Sequence, residues 1–481
     1  MSRTEQRGSG IEADGQGIPE TDTKAASVTL APRPAHRRAR RILTWALVAV
    51  VVALVATAGV AAGERINQPL SATTLHAGLA PTYEVAGGTP SLPWPSTGQA
   101  AVAIPAIGYA KQSGPEDPVP IASLTKLTTA VLILHDHPIA PGTDGPSITV
   151  TPADAAEYAA EIHQDESTIE IQAGEVLTER QMLEALLLVS ANDIAFSLAL
   201  WDAGTESAFV SKMNALAASL GATSSHFVDA SGFDPDSRST AADCLRIAAE
   251  GMRDPTFAAV VAMPTATLPL VGTVHNIVHE VGSDGVAGIK SGYTSQAGGC
   301  YVLAGVHVID GRPVTVLVAV LGQPVPAAVP ISTTTSTPTT APPPPPGSDT
   351  TTTLPPGEFT VPDPFRYTSP IADALLGATE NGVVQVTVSE HGAAVGSATT
   401  SWGGRTYRVP VVTAHTAWVF GWPGQQVASA TELRPVAPGS QKGSTVGSAL
   451  FALGSQIQVV PLQLATTVPE PSLWWRLVHR V

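Results

Sequence analysis

Apolar positions along the 481-residue chain fall into distinct patterns. Residues 42–62 carry no charge across 21 positions, enough to cross a bilayer as a helix. Leu124, Leu127, Val131 and Leu134 recur at helical spacing, which predicts a helix beginning near Ser123. Further helices are predicted over 152–161, from Thr178-Glu179-Arg180-Gln181 (a capping box) through Leu188, from Asp193, over 206–220 with Gly221 closing it, and after Thr240. Residues 99–109 read as strand, turn and strand. Residues 147–150 and 168–171 read as short strands. Residues 301–309 and 313–321, joined at Asp310-Gly311, read as a β-hairpin. Beyond Gly382, alternating runs at 383–388, 405–412, 417–420 and 457–464 are separated by Gly, Pro and Ser, the pattern of a small β-sandwich-like domain.

Strands at both ends and helices between them predict one mixed α/β domain over 92–382, its sheet built where the chain ends meet. A Thr/Pro-rich segment, 331–364, interrupts it. An interdomain linker is the usual interpretation of such a segment. However, Ser369-Pro370 followed by Ile371, Ala374, Leu375 and Ala378 looks like an N-capped amphipathic helix that stops at Asn381-Gly382. Its apolar face needs the hairpin sheet, so the segment is read as an insertion within the domain. Loop closure grows only logarithmically with length, which makes such an insertion tolerable. Residues 1–41 lack periodicity and read as a disordered tail, and 63–91 as a stalk. Residues 383–481 form the C-terminal β-rich domain. The aromatic, basic stretch 471–480 either rests on a membrane surface or docks on its own domain.

Charge then orients the molecule. The cluster Arg37-Arg38-Ala39-Arg40-Arg41 precedes the apolar span and should stay cytoplasmic, placing the C-terminal bulk outside. Ala56-Thr57-Ala58 resembles a signal-peptide cleavage site, but the preceding segment is much longer than an ordinary n-region, which favours a retained anchor. The net charge of −15 divides into +3 before the span and −18 beyond it, and the acidic exterior argues against nucleic acid as a partner. The two cysteines, Cys244 and Cys300, make no disulfide framework and no metal-ligand spacing, and whether they pair stays open. His135-Asp136-His137 has no obvious third ligand and reads as a solvated loop, so no metal is expected. No glycine loop for phosphates occurs, and no cofactor is implied.

Candidate chemistry lies in three pieces. Ser123 and Lys126 are three residues apart and share a helix face; of six lysines only Lys126 has a serine at that offset. A desolvated lysine loses its charge more easily and can take a serine's proton. Ser190-Ala191-Asn192 falls between two helices, where a hydroxyl can relay a proton and an amide can orient a lysine. Lys290-Ser291-Gly292-Tyr293 precedes the hairpin and should lie on a strand. Lys290 offers a cation and Ser291 a hydroxyl. Gly292 would let a ligand backbone approach, and the following N–H can help build an oxyanion hole.

Ser-x-x-Lys, Ser-x-Asn and Lys-Ser-Gly, in this order, resemble the motif set of the penicillin-recognising serine enzymes. More closely the chain resembles the serine-type D-alanyl-D-alanine carboxypeptidases, the low-molecular-mass penicillin-binding proteins of the S11 type. The likeness extends to Leu92-Pro93-Trp94-Pro95, Pro118 to Ile121, Leu187 to Asp193, Ser239-Thr240-Ala241 and Ala297 to Cys300. It implies a β-lactamase/transpeptidase-like domain with a helical cluster and an antiparallel sheet. Ser123 would attack the bond between two D-alanines of a peptidoglycan stem peptide, with Lys126 as base. Ser190 would relay the proton with Asn192 orienting. Lys290 and Ser291 would hold the terminal carboxylate, and the N–H groups of Ser123 and Tyr293 the oxyanion. Penicillins would trap Ser123. The resemblance more often has threonine where this chain has Ser291. A β-lactamase also needs a carboxylate for deacylation. None of Glu206, Glu250 and Glu280, between Asn192 and Lys290, has the required setting, so fast lactam hydrolysis is not expected. A DD-endopeptidase, a transpeptidase or a non-catalytic envelope scaffold of the same fold are the alternatives.

Overall fold

The computed structural model describes residues 36–140, 142–164, 166–283, 285–309, 311–326 and 365–479. The 331–364 insertion, residues 1–35 of the tail and Asp310 of the hairpin turn lie outside these.

Five antiparallel strands form the central sheet, in the spatial order Val286–Thr294, Gly298–Ile309, Arg312–Gln323, Gln99–Ile104 and Tyr109–Ser113. Early strands thus pair with late ones, as the sequence predicts. The strand Arg312–Gln323 reads as a nearly continuous apolar run because both of its faces are covered. Leu317, Ala319 and Leu321 face the helical lobe, whereas Val316, Val318 and Val320 face the helix Phe365–Glu380. That helix starts four residues earlier than its sequence suggests, so Pro370 lies inside it rather than at its first turn. It beds on glycine: a Cβ at Gly305 would lie 2.1 Å from Glu380 Oε1 and 2.9 Å from Leu376 Cδ1.

In the helical lobe, Thr125–Asp136 runs through the middle, enclosed by Glu179–Leu188, Asn192–Ala203, Glu206–Ser219 and Ala241–Gly251. Residues 125–134 are all buried, so the helix is covered all round although its sequence suggests one apolar stripe. Thr178 and Gln181 make both halves of the expected capping box. The strand expected over 168–171 is absent. There, the Asn192 N–H donates to the Ser167 carbonyl at 2.7 Å and the Ile169 N–H to Asp193 Oδ1 at 3.3 Å. This segment satisfies its backbone at a helix start instead of in a ladder. At this exposed helix end Lys212 pairs with both Asp136 and Asp202, and His137 Nε2 shares a hydrogen bond with Asp202 at 2.9 Å. Cys244 and Cys300 are free, buried thiols, each pushed up to about 12 by burial.

The C-terminal strands make a seven-stranded antiparallel sheet, and the ribbon Val384–Ser389/Ala417–Gly421 shares its core. Both edges of that sheet come from the presumed stalk: Thr74–Ala77 pairs with Ala394–Trp402, and Thr82–Glu84 with Gln426–Leu433. Strands of four and three residues carry too few positions for a visible alternation. This β unit seats on the Pro105–Ile107 turn, where Trp422 stacks on Tyr109 at 4.2 Å and Gln425 Nε2 donates to the Ile107 carbonyl at 3.0 Å.

Among the described residues, 36–70 and 471–479 form a separate unit. Its helix His36–Asn67 contains the stretch Ala39–Asn67, long and apolar enough to cross a membrane. The helix Leu473–Val478 is tied to its C-terminal end, with Arg65 Nη1 donating to the Leu477 carbonyl at 3.0 Å and Arg476 Nη2 to the Gln68 carbonyl at 2.6 Å.

Leu375, fully buried on the sheet, should cost about 2–5 kcal/mol when replaced by alanine. Thermal unfolding of Leu375→Ala is expected to show a clearly lowered Tm; an unchanged Tm would mean the helix is not part of the core.

Candidate active site

Ser123 lies in the 3₁₀ turn Ala122–Leu124, which leads directly into the Thr125 helix. The preceding Ala122 takes a left-handed φ of 49°, a strained bend for a residue with a Cβ. Lys126, one turn on, is fully buried. Its Nζ donates to Ser123 Oγ at 3.1 Å, to the Ser231 carbonyl at 3.0 Å and to Asn192 Oδ1. A carbonyl and an amide oxygen can only accept. When the amine is neutral, its two hydrogens serve those oxygens and its lone pair is left for the Ser123 hydroxyl.

Burial is the largest influence on Lys126 and drives its pKa down to about 8. The charges of Asp229, Glu161, Glu166 and Asp193 oppose that fall. Asn192 is pinned from both sides, since its Nδ2 donates to Glu166 Oε2. Ser190 is buried between its two helices with a φ of 67°, and its Oγ has no hydrogen-bond partner among the described residues.

The third piece lies on the edge strand Val286–Thr294. Gly292 faces the Ser123 turn: a Cβ there would stand 2.8 Å from the Ser123 nitrogen and 3.2 Å from the Ile121 carbonyl oxygen. The glycine therefore admits the turn, which has no room for a Cβ at this position. This approach brings the Ser123 and Tyr293 backbones together. Lys290 is fully buried, and its Nζ donates to the Ser291 carbonyl at 3.0 Å. Burial, then the positive charge of Lys126, holds its pKa well below the usual lysine value. Ser291 Oγ is buried without a partner among the described residues. A cleft of about 570 Å³ opens over the site, lined by Ser123, Asn192, Glu166, Phe233, Tyr293 and neighbouring residues. Of the sequence-derived set, Ser123, Asn192 and Tyr293 border the cleft. Lys126, Ser190, Lys290, Ser291 and Gly292 are not among its lining residues.

Residues unseen in the sequence complete the site. Asp229 Oδ2 accepts from Ser231 Oγ at 3.0 Å, the Gly232 N–H at 2.9 Å and the Asp234 N–H at 3.2 Å, which shapes the loop presenting the Ser231 carbonyl to Lys126. Gly232 has a φ of 82°, and a Cβ on it would lie 2.0 Å from the Ala122 carbonyl oxygen. Asp-Ala-Ser-Gly reads only as a turn, and nothing in its spacing points to Ser123. Glu166 carried no signal at all.

A buried amine aimed at a serine hydroxyl beneath a cleft, on a sheet-and-helix-cluster fold, defines the class of serine–lysine acyl-transfer enzymes. Residues 107–323 match the family described as D-alanyl-D-alanine carboxypeptidase, peptidase family S11. It is through this segment that the chain is similar to that family. It is 39% identical over 152 residues to a D-alanyl-D-alanine carboxypeptidase of Mycobacterium tuberculosis, covering 30% of this chain and 50% of that one. It is 29% identical over 208 residues to a D-alanyl-D-alanine endopeptidase of Escherichia coli, covering 41% and 63%. The chain thus spans between half and two thirds of the length of these relatives. A Streptococcus pneumoniae structure, described as a peptidoglycan synthesis regulatory factor (PBP3), aligns at TM-score 0.50 and 19% identity over 77% of this chain and 98% of that one, a likeness of fold.

Two outcomes test the site. With Lys126 as the base, acylation would need its neutral amine, whose pKa is lowered to about 8, so the rate of acylation by a penicillin should rise with pH and level off above that value. A rate falling with pH over that window would remove Lys126 as the base. Gly232→Ala should cost about 2 kcal/mol or more and cut penicillin labelling, since it strains the backbone and strikes the turn holding Ser123.

Proposed function

We propose that this chain is a serine-type D-alanyl-D-alanine carboxypeptidase, which removes the terminal D-alanine of peptidoglycan stem peptides. The observation that carries it is the Lys126 Nζ to Ser123 Oγ contact at 3.1 Å, made by an amine whose other two partners can only accept. Lys126 takes the serine proton as Ser123 Oγ bonds to the carbonyl carbon between the two D-alanines. The N–H groups of Ser123 and Tyr293 hold the oxyanion. Ser190 passes the proton to the leaving amine, and the terminal D-alanine departs. Water then releases the acyl group. Lys290, with Ser291 beside it, receives the substrate carboxylate, which supplies the counter-charge that burial denies the lysine.

The same reading sets the topology. Residues 42–62 anchor the chain once in the membrane, the basic cluster before them stays in the cytoplasm, and the catalytic domain works outside. The domain over 92–382 includes the 331–364 insertion, which interrupts none of the three catalytic motifs in the sequence. An endopeptidase that cuts cross-links uses the same chemistry, and the Escherichia coli relative bearing that name favours it as the second reading.

Incubating the protein with a pentapeptide stem should release D-alanine, and Ser123→Ala should abolish both that release and covalent labelling by a fluorescent penicillin. Release from cross-linked dimers but not from the pentapeptide would select the endopeptidase; labelling that survives in Ser123→Ala would refute the nucleophile. Lys290→Ala should raise KM for substrates with a free terminal carboxylate by about tenfold or more while the amidated substrate is little affected.

A further inference from the structure

One ionisable group in the cleft has no task in this scheme. Glu166 is half-buried and lines the cleft together with Ser123, Asn192 and Tyr293. It does not hang on a free loop. The Asn192 N–H donates to the carbonyl of the adjacent Ser167 at 2.7 Å, and the Ile169 N–H to Asp193 Oδ1 at 3.3 Å. Its Oε2 accepts from Asn192 Nδ2, and only one orientation of that amide serves both Glu166 and Lys126. Its Oε1 accepts no hydrogen bond from the described residues and is left to the cleft. The carboxylate is therefore locked to the nucleophile through the chain Glu166, Asn192, Lys126, Ser123.

We propose that Glu166 is the general base of the hydrolytic half-reaction, activating the water that releases the acyl group from Ser123. This rests on the reading of Ser123 as the acylated nucleophile. The carboxylate takes a proton from water as the water oxygen bonds to the acyl carbon. The tetrahedral species collapses, the bond from the carbon to Ser123 Oγ breaks, and Glu166 returns its proton to Ser123 Oγ across the cleft that both residues line. Acyl-serine and water thus become free acid and serine, with both side chains reset. Burial raises the Glu166 pKa, the Asn192 hydrogen bond and the Lys126 charge lower it, and Glu157 and Asp229 raise it further; the net shift is upward. A carboxylate shifted toward neutrality is a stronger base at working pH. Glu166 precedes Asn192 in the chain, outside the stretch from Asn192 to Lys290 that holds Glu206, Glu250 and Glu280.

The test uses the full-length protein in detergent. Acylation by a fluorescent penicillin and loss of label after a chase are timed for the wild type, Glu166→Gln and Glu166→Asp. Glutamine keeps an oxygen for Asn192 and removes the base. Glu166→Gln should slow deacylation about 100-fold or more and acylation far less, lose the fall of deacylation at low pH, and be partly rescued in Glu166→Asp. Deacylation of Glu166→Gln at the wild-type rate, or equal slowing of both steps in both variants, would overturn the proposal; equal slowing would mark a structural support for Asn192. Failure of the wild type to be labelled at all would instead refute the reading of Ser123.

Discussion

The site depends on the placement of one buried amine. Lys126 reaches three acceptors drawn from three distant parts of the chain: the hydroxyl of its own turn, the amide of Asn192 and the carbonyl of Ser231. In water such an amine would be charged and useless as a base. Enclosed by the helical lobe it loses solvation, while its contacts leave only one direction for the lone pair. The same three contacts define where the neighbouring elements must sit. The helix starting at Asn192, the 229–237 loop and the Ser123 turn converge on one nitrogen, so folding the lobe and assembling the site are the same event.

Sheet and lobe meet through an absence of side chain. Gly292 brings the edge strand against the backbone of the Ser123 turn, and Gly232 brings the 229–237 loop against the Ala122 carbonyl. Each contact is backbone on backbone, with no room for a Cβ. The strain at Ala122 and Ser190, both at left-handed φ, sits immediately beside the residues that carry the chemistry. Packing in the rest of the domain is what holds these bends; a free peptide would relax them.

Much of this was legible from the sequence because the signals were local. Capping at Thr178, the helix behind Ser123, the hairpin and the late helix closing over the sheet all follow from spacing and turn chemistry within a dozen residues. The Ser-x-x-Lys, Ser-x-Asn and Lys-Ser-Gly pieces were recognisable as a set for the same reason. What escaped depends on partners far away in sequence. The 168–171 segment alternates like a strand, yet its backbone is used up by Asn192 and Asp193, and so it delivers Glu166 to the cleft instead. The edge strands at 74–84 are too short to show a period and exist only because a sheet formed from residues 394–464 offers its edges. The closeness of Gly292 to the Ser123 turn is likewise invisible in the sequence, because the two are more than 160 residues apart.

The carboxylates around Lys126 explain why its basicity falls only partway. Fully solvent-starved and alone, the amine would be neutral throughout the physiological range and too weak a base to matter. Asp229, Glu161, Glu166 and Asp193 pull it back toward the charged form, to about 8. They cannot all do so equally. Burial and the neighbouring carboxylates push Glu161 up to about 9, and burial pushes Asp193 up to about 7, so near neutrality Glu161 holds its proton and contributes little field. Asp229 exerts the largest of the opposing charges, and Asp229 and Glu166 lie on the two segments that also hold the Ser231 carbonyl and the Asn192 amide. The groups that orient the amine are attached to the groups that set its charge. A shift in either segment therefore changes geometry and basicity together, which ties the proton affinity of this base to the closure of its own pocket.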